Sequence, residues 1–329
     1  DYGFCKAHAV AYGRTTYRTA WLKAHYPAQF AAAVIDDSLK DRDSLIETIV
    51  WSKKMGVKVN YPSVKYSSTR SVTTRDEVIL PITIVSGMGD ELTERIISER
   101  EHGEFTSVID FMSRTRTAPA MMVKLAKAGF FDDFSISRAA VVSEIDQITS
   151  IAKTQQSRSV VTSGLFGELI DDDDDDELID LSTDPEEILE GDNIVRVDSD
   201  LYAKWERESI GFILGRHPYK TIREMRVSAP ILRQYPPMDM FTRAVDNARF
   251  SGIISDINNR VSKKGNDFCS FSLETDMRVV SSVAFSHIPE TLNGAMVLGV
   301  GKIENDNEGN DGEFSPHAVL FEMSKVDVD

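Results

Sequence analysis

The sequence predicts a multidomain α+β chain: a helical N-terminal segment, a mainly helical domain built on a glycine turn, and a C-terminal five-stranded barrel. Three observations predict it. Apolar residues recur at helical spacing through the first 55 positions. A Ser86-Gly87-Met88-Gly89 turn stands between an apolar run and a fresh helical pattern. Beyond about residue 240 the pattern changes to alternation with period two, in five short runs. The 329 residues suffice for two or three domains.

Composition narrows the class. No apolar run approaches the roughly 20 residues of a membrane span. Cys5 and Cys269 are the only cysteines and lie far apart, which argues against a disulfide framework or a zinc site and for a reducing, cytoplasmic setting. A net charge of −16 at first argues against nucleic acid, but its distribution reverses the reading. Residues 1–75 carry +6, whereas residues 161–200 carry −15. Screening over roughly 8 Å lets a basic face act beside a distant acidic stretch.

Residues 9–25 read as a helix stopped by Tyr26-Pro27. Tyr17, Ala20, Trp21 and Ala24 form its apolar stripe, with Arg14, Arg18 and Lys23 off it. Lys6 and His8 stand just ahead. Cations and rings beside a helix N-terminus suit phosphate; a packed helix with a solvated basic edge is the plainer reading. Helices over 28–35 and 41–55 follow, the latter stopped by Gly56.

Residues 77–85 read as a strand, at a sheet edge because of Pro81, and 90–101 as a helix with Leu92, Ile96 and Ile97 on one face. The turn between them makes a helix-hairpin-helix signature. Ser86, Gly87, Met88 and Gly89 are therefore candidate contacts to the backbone of duplex DNA, which such a turn holds without reading sequence. A plain tight turn remains the alternative. Phe130 and Phe131 read as core.

Residues 158–200 read as an acidic linker. The aspartate run 171–176 repels itself and lacks the spaced geometry of a calcium loop. Leu165-Phe166 is an apolar pair within it, either an anchor for a partner or a pair that tucks back onto the domain. Strands over 250–257, 268–273, 279–284, 295–302 and 318–326, with a helix-like segment at 286–292, have the element order of an OB barrel. A basic loop of Arg260, Lys263 and Lys264 and the strand aromatics Phe268 and Phe271 suggest single-stranded DNA binding. Phe268 and Phe271 are an odd number apart, so at most one faces outward.

The order of these motifs resembles one family, the alpha subunit of bacterial replicative DNA polymerase III (C-family polymerases). Gly3-Phe4-Cys5-Lys6-Ala7-His8 and Trp21-Leu22-Lys23-Ala24-His25-Tyr26-Pro27 resemble the end of its fingers domain, with Cys5 and Ala7 in place of Asn and Ser. Gly87-Met88-Gly89, Gly103-Glu104-Phe105 and Leu125-Ala126-Lys127-Ala128-Gly129-Phe130 resemble its helix-hairpin-helix domain, with Ser86 in place of a Lys. Trp205 to Pro218 resembles its bridge to the OB domain. Thr162 with Leu165-Phe166 resembles a degenerate sliding-clamp peptide.

The resemblance implies late fingers over 1–68, a helix-hairpin-helix domain over 69–157, the linker over 158–200, a bridge over 201–239 and an OB domain over 240–329. It implies nucleotide or template contacts by Lys6, His8, Arg14 and Arg18, and duplex contacts extending to Lys127 and Gly129. The expected function is part of a DNA-directed DNA polymerase. The catalytic palm and its two Mg2+ ions belong to another portion, a palm-bearing partner. This chain is expected to bind no cofactor or metal itself and to be inactive alone. Its expected partners are primer-template DNA, single-stranded template and a sliding clamp, with no membrane. The missing initiator Met reads as a split, processed or truncated chain. The competing class is a free-standing, non-enzymatic helix-hairpin-helix/OB module that coats DNA.

Overall fold

The computed structural model describes residues 5–162, 179–191, 193–215, 234–261, 265–275, 279–305 and 316–325. They divide into two compact units, Asp1–Leu214 and Gly215–Asp329.

The first unit opens with α1 (Lys6–His25), α2 (Pro27–Ser38) and α3 (Arg42–Lys54). Pro27 begins α2 where a missing N–H costs nothing, and Asp41 caps α3 by accepting from the Ser44 N–H at 3.4 Å. These two helices bury Ala28, Ala31, Ile35, Leu45 and Ile49. α1 buries no residue, and its Tyr12, Tyr17, Trp21 and Leu22 are exposed. The expected stripe is thus not core, because periodicity marks an apolar face without saying whether anything covers it.

β1 (Lys58–Asn60), β2 (Val72–Thr73) and β3 (Glu77–Ile79) form a small sheet in the order β1-β3-β2. β3 is shorter than the strand expected over 77–85. Pro81 cannot donate to a ladder and instead caps the 3-10 turn Ile82–Ile84. α4 (Asp90–Glu101) occupies the span read from sequence, followed by α5 (Val108–Thr115), α6 (Pro119–Lys127), α7 (Arg138–Ser143) and α8 (Ile145–Thr162). Ser107 and Ser137 cap α5 and α7. Phe111 lies at the centre of this unit, edge-on to Phe105, Phe130 and Phe131 at centroid distances of 5.0, 5.7 and 5.1 Å. Burying such a ring contributes roughly 2–3 kcal/mol.

Leu165, Phe166 and the aspartate run lie outside the described residues. The second half of the expected linker is packed structure. β4 (Glu187–Glu190) and β5 (Asn193–Arg196) pair as a hairpin, and α9 (Ser199–Ile210) brings the fully buried Trp205 onto Ile188 and Leu201. The Ser137 N–H donates to Leu181 O at 2.7 Å. Composition misled because it counts carboxylates without their partners: Glu190 is paired with Lys127 and Lys204.

The second unit is a closed barrel of β6 (Val245–Val261), β7 (Asp267–Glu274), β8 (Val279–Ala284), β9 (Met296–Asn305) and β10 (Pro316–Lys325). The first strand pairs with the second and the fourth. The last closes the barrel parallel to β8 and antiparallel to β9. That is the OB fold. Phe250, Ile254, Phe271, Leu273 and Ile303 fill it. At the seam the backbones approach so closely that a Cβ on Gly301 would lie 2.2 Å from Val319 O. β6 runs beyond its expected ends because register shifts beside Ala248 and Asn258, near left-handed Asn247 and Asp256, hide its alternation. The helix expected at 286–292 is one 3-10 turn, Glu290–Leu292, after Pro289.

Candidate nucleic-acid interface

The Ser86–Gly89 turn is framed by hydrogen bonds. The Ser86 N–H donates to Ser209 O at 2.7 Å, the Met88 N–H donates to Val85 O at 2.9 Å, and Lys124 Nζ donates to Ser86 O at 3.2 Å. Gly87 takes φ 82°, which favours glycine, and Gly89 is the N-cap of α4. Ser86, Gly87 and Gly89 are exposed, and among the described residues the Gly87 and Gly89 N–H groups donate to nothing. The turn is therefore fixed in shape while two donors stay available to an anion. Asp90 and Glu91 in the first turn of α4 oppose that use unless a cation offsets them.

Lys127 and Gly129, expected on duplex DNA, are placed elsewhere. Lys127 Nζ lies 2.7 Å from Glu190 Oε1, 3.5 Å from Glu208 Oε2 and 5.0 Å from the Trp205 ring centroid. Gly129 is buried beneath Arg138. Both hold the interior, so neither presents a surface to DNA.

Arg138 is the hub of that interior. It donates to Asp132 Oδ1 at 2.9 Å and Oδ2 at 2.5 Å, reaches Glu206 Oε1 at 3.2 Å, and lies 4.3 Å from the Tyr61 ring centroid. Tyr61 donates to Glu206 Oε1 at 2.5 Å, and the Leu214 N–H donates to Oε2 at 2.8 Å. Burial opposes the Arg138 charge, but the hydrogen bonds and charge of Asp132 leave its guanidinium above its ordinary value. Burial, then Glu206, pushes the Tyr61 hydroxyl up. Burial alone would raise Glu190; donors from Lys127, Lys204 and Trp205 outweigh it and hold the carboxyl down at about 2.

On the barrel, Phe271 is core and Phe268 lies on the outer face, as their odd spacing requires. Arg260 of β6 stands opposite Phe268 of β7. Phe285, directly after β8, completes the row with its ring centroid 6.2 Å from that of Phe268. Phe285 is 71% exposed. Sequence reasoning missed it because it follows the last residue of its strand; only the pairing of Cys269 with Ala284 places it beside Phe268. One cation and two rings thus form a line across three strands. Lys263 and Lys264 lie outside the described residues.

Lys6, His8, Arg14 and Arg18 are all exposed on α1, with the His8 and Tyr12 rings 4.2 Å apart. Among the described residues, no three His, Cys, Asp or Glu gather as a metal site, and no helix is long and apolar enough to cross a membrane.

These features define a class: a helix-hairpin-helix domain joined in one chain to an OB barrel. A family described as the helix-hairpin-helix motif matches residues 56–141. In sequence the chain resembles DNA polymerase III alpha subunits over nearly its whole length. It is 27% identical to that of Deinococcus radiodurans over 331 residues, covering 94% of this chain and 23% of that protein. It is 30% identical to that of Chlamydia pneumoniae over 230 residues, covering 68% of this chain and 18% of that protein. The chain thus spans about a quarter, or less, of the length of these relatives. Part of it also overlays the second OB-fold domain of replication protein A from Methanococcus maripaludis, at 9% identity and a TM-score of 0.19, over 25% of this chain and 86% of that one. The OB assignment rests on strand order instead.

Proposed function

We propose that the chain is the DNA-holding part of a replicative DNA-directed DNA polymerase of the polymerase III alpha type. The observation that carries the reading is similarity to such subunits along 94% of the chain. The Ser86–Gly89 turn holds the backbone of the primer-template duplex through fixed N–H donors, independently of sequence. The Arg260–Phe268–Phe285 row, with Lys263 and Lys264, holds single-stranded template by stacking and phosphate neutralisation. Lys6, His8, Arg14 and Arg18 face the incoming nucleotide or template, and Leu165-Phe166 engages a sliding clamp. Primer extension is performed by a palm-bearing portion, whose two Mg2+ ions assist attack of the primer 3′-hydroxyl. The setting is the cytoplasm of a bacterial cell or phage-infected host.

Reconstitution tests this. The chain alone should bind primer-template DNA and extend nothing; mixing it with a palm-bearing polymerase portion should restore extension. In that mixture Lys6→Ala should lower incorporation far more than DNA binding. Full extension without the chain, or no primer-template binding by it, would contradict the reading.

A further inference from the structure

We infer that Lys124 supplies the cation of the duplex contact, gripping the same phosphate as the Gly87 and Gly89 N–H groups. The inference rests on the reading of the Ser86–Gly89 turn as a duplex-backbone contact. The four turn residues carry no charge, and the adjoining Asp90 and Glu91 are acidic. An approaching phosphate therefore needs a cation from outside the turn. Of the basic groups on the neighbouring helices, Lys127 is paired with Glu190 and Glu208 and Arg138 with Asp132 and Glu206, Arg95 lies 3.7 Å from Glu91, and Arg100 is turned to Val64 O at 3.2 Å.

Lys124 instead lies against the turn itself. It is exposed near the end of α6, with its Nζ 3.2 Å from Ser86 O. A Cβ at Gly87 would lie 3.1 Å from the same nitrogen, so the ammonium sits directly against the turn. Among the described residues its partner is the Ser86 carbonyl, and no carboxylate pairs with it. A neutral carbonyl fixes its position without cancelling its charge. An ammonium has three protons, so two remain for a phosphate after Ser86 takes one. This chain therefore brings the charge to its turn from a later helix, across 38 residues of sequence.

The test uses the full chain and a labelled duplex oligonucleotide, with affinity measured across a salt series. Lys124→Ala and Lys124→Gln should each flatten the log–log salt slope by about 0.9, the value for one lost phosphate contact on duplex DNA. Ser86→Lys should restore the slope in the Lys124→Ala background. Gln retains a donor for Ser86 O, so its effect reports charge rather than support of the turn. An unchanged slope in Lys124→Gln would overturn the inference, even if Lys124→Ala melts earlier. Ser86→Glu separates the two levels. If it weakens duplex binding while Lys124→Gln has no effect, the turn binds DNA and only the lysine's role fails. If Ser86→Glu leaves duplex binding intact, the turn is not the contact and both readings fall.

Discussion

The helical unit keeps charge in its interior, whereas the barrel packs chiefly hydrocarbon inside and places its candidate contacts on the outer face. In the helical unit, Arg138, Glu206 and Glu190 join Tyr61, just after β1, to α6, α7, β4 and α9 through hydrogen-bonded ions. In the barrel, strand ladders and the residues around Phe250 and Phe271 do the same work. The contrast teaches where each unit is vulnerable. A buried ion network fails when one partner is lost. A closed barrel fails when backbones that touch are forced apart.

The largest expected effect follows directly. Glu206→Ala leaves the Tyr61 hydroxyl and Leu214 N–H without their acceptor and takes one partner from Arg138. It should destabilise the helical unit by about 3 kcal/mol and leave the barrel unchanged. All three tryptophans, Trp21, Trp51 and Trp205, lie in the helical unit, so denaturation followed by their fluorescence reads that unit alone. Gly301→Val should do the reverse, since even a Cβ collides with Val319 O; the tryptophan transition should stay in place while strand circular dichroism is lost earlier. Parallel losses in both units would break the comparison.

A smaller effect concerns pH. The Glu190 carboxyl titrates near 2 when folded against an ordinary value of 4.5. A depressed folded value contributes stability above the unfolded value, and that contribution is lost as pH falls from about 4.5 towards 2. Glu190→Gln should cost the helical unit about 2 kcal/mol at neutral pH, less than the full shift implies because solvent screens this partly exposed pair, and remove much of its acid sensitivity over that window. Unfolding curves at pH 7 and pH 3 check both halves. The smallest effect is on the barrel: Phe285→Ser, on the exposed row, should change barrel stability by less than about 0.5 kcal/mol.

Much of this was legible. α4 was bounded by Gly89 and by Leu92, Ile96 and Ile97, and β8 ran over the residues its alternation marked. Parity alone separated Phe268 from Phe271. What escaped was information held between distant residues. Glu190 gave no hint of Lys127, 63 residues earlier in the chain. Lys127 and Gly129 looked like contacts because a motif marks local backbone and not what packs over it. Phe285 became visible only through strand register. α1 showed its apolar stripe but not its exposure, which depends on what else lies beside it.

The central claim is a division of labour, duplex on the helical unit and single strand on the barrel, and one crossed titration tests it. The full chain carrying Phe268→Ala with Phe285→Ala should lose at least about tenfold in affinity for single-stranded oligonucleotide, since base stacking on an aromatic is worth about 1–3 kcal/mol. Its affinity for blunt duplex should remain within about twofold. Equal losses on both ligands, or an unchanged single-strand affinity, would contradict the account.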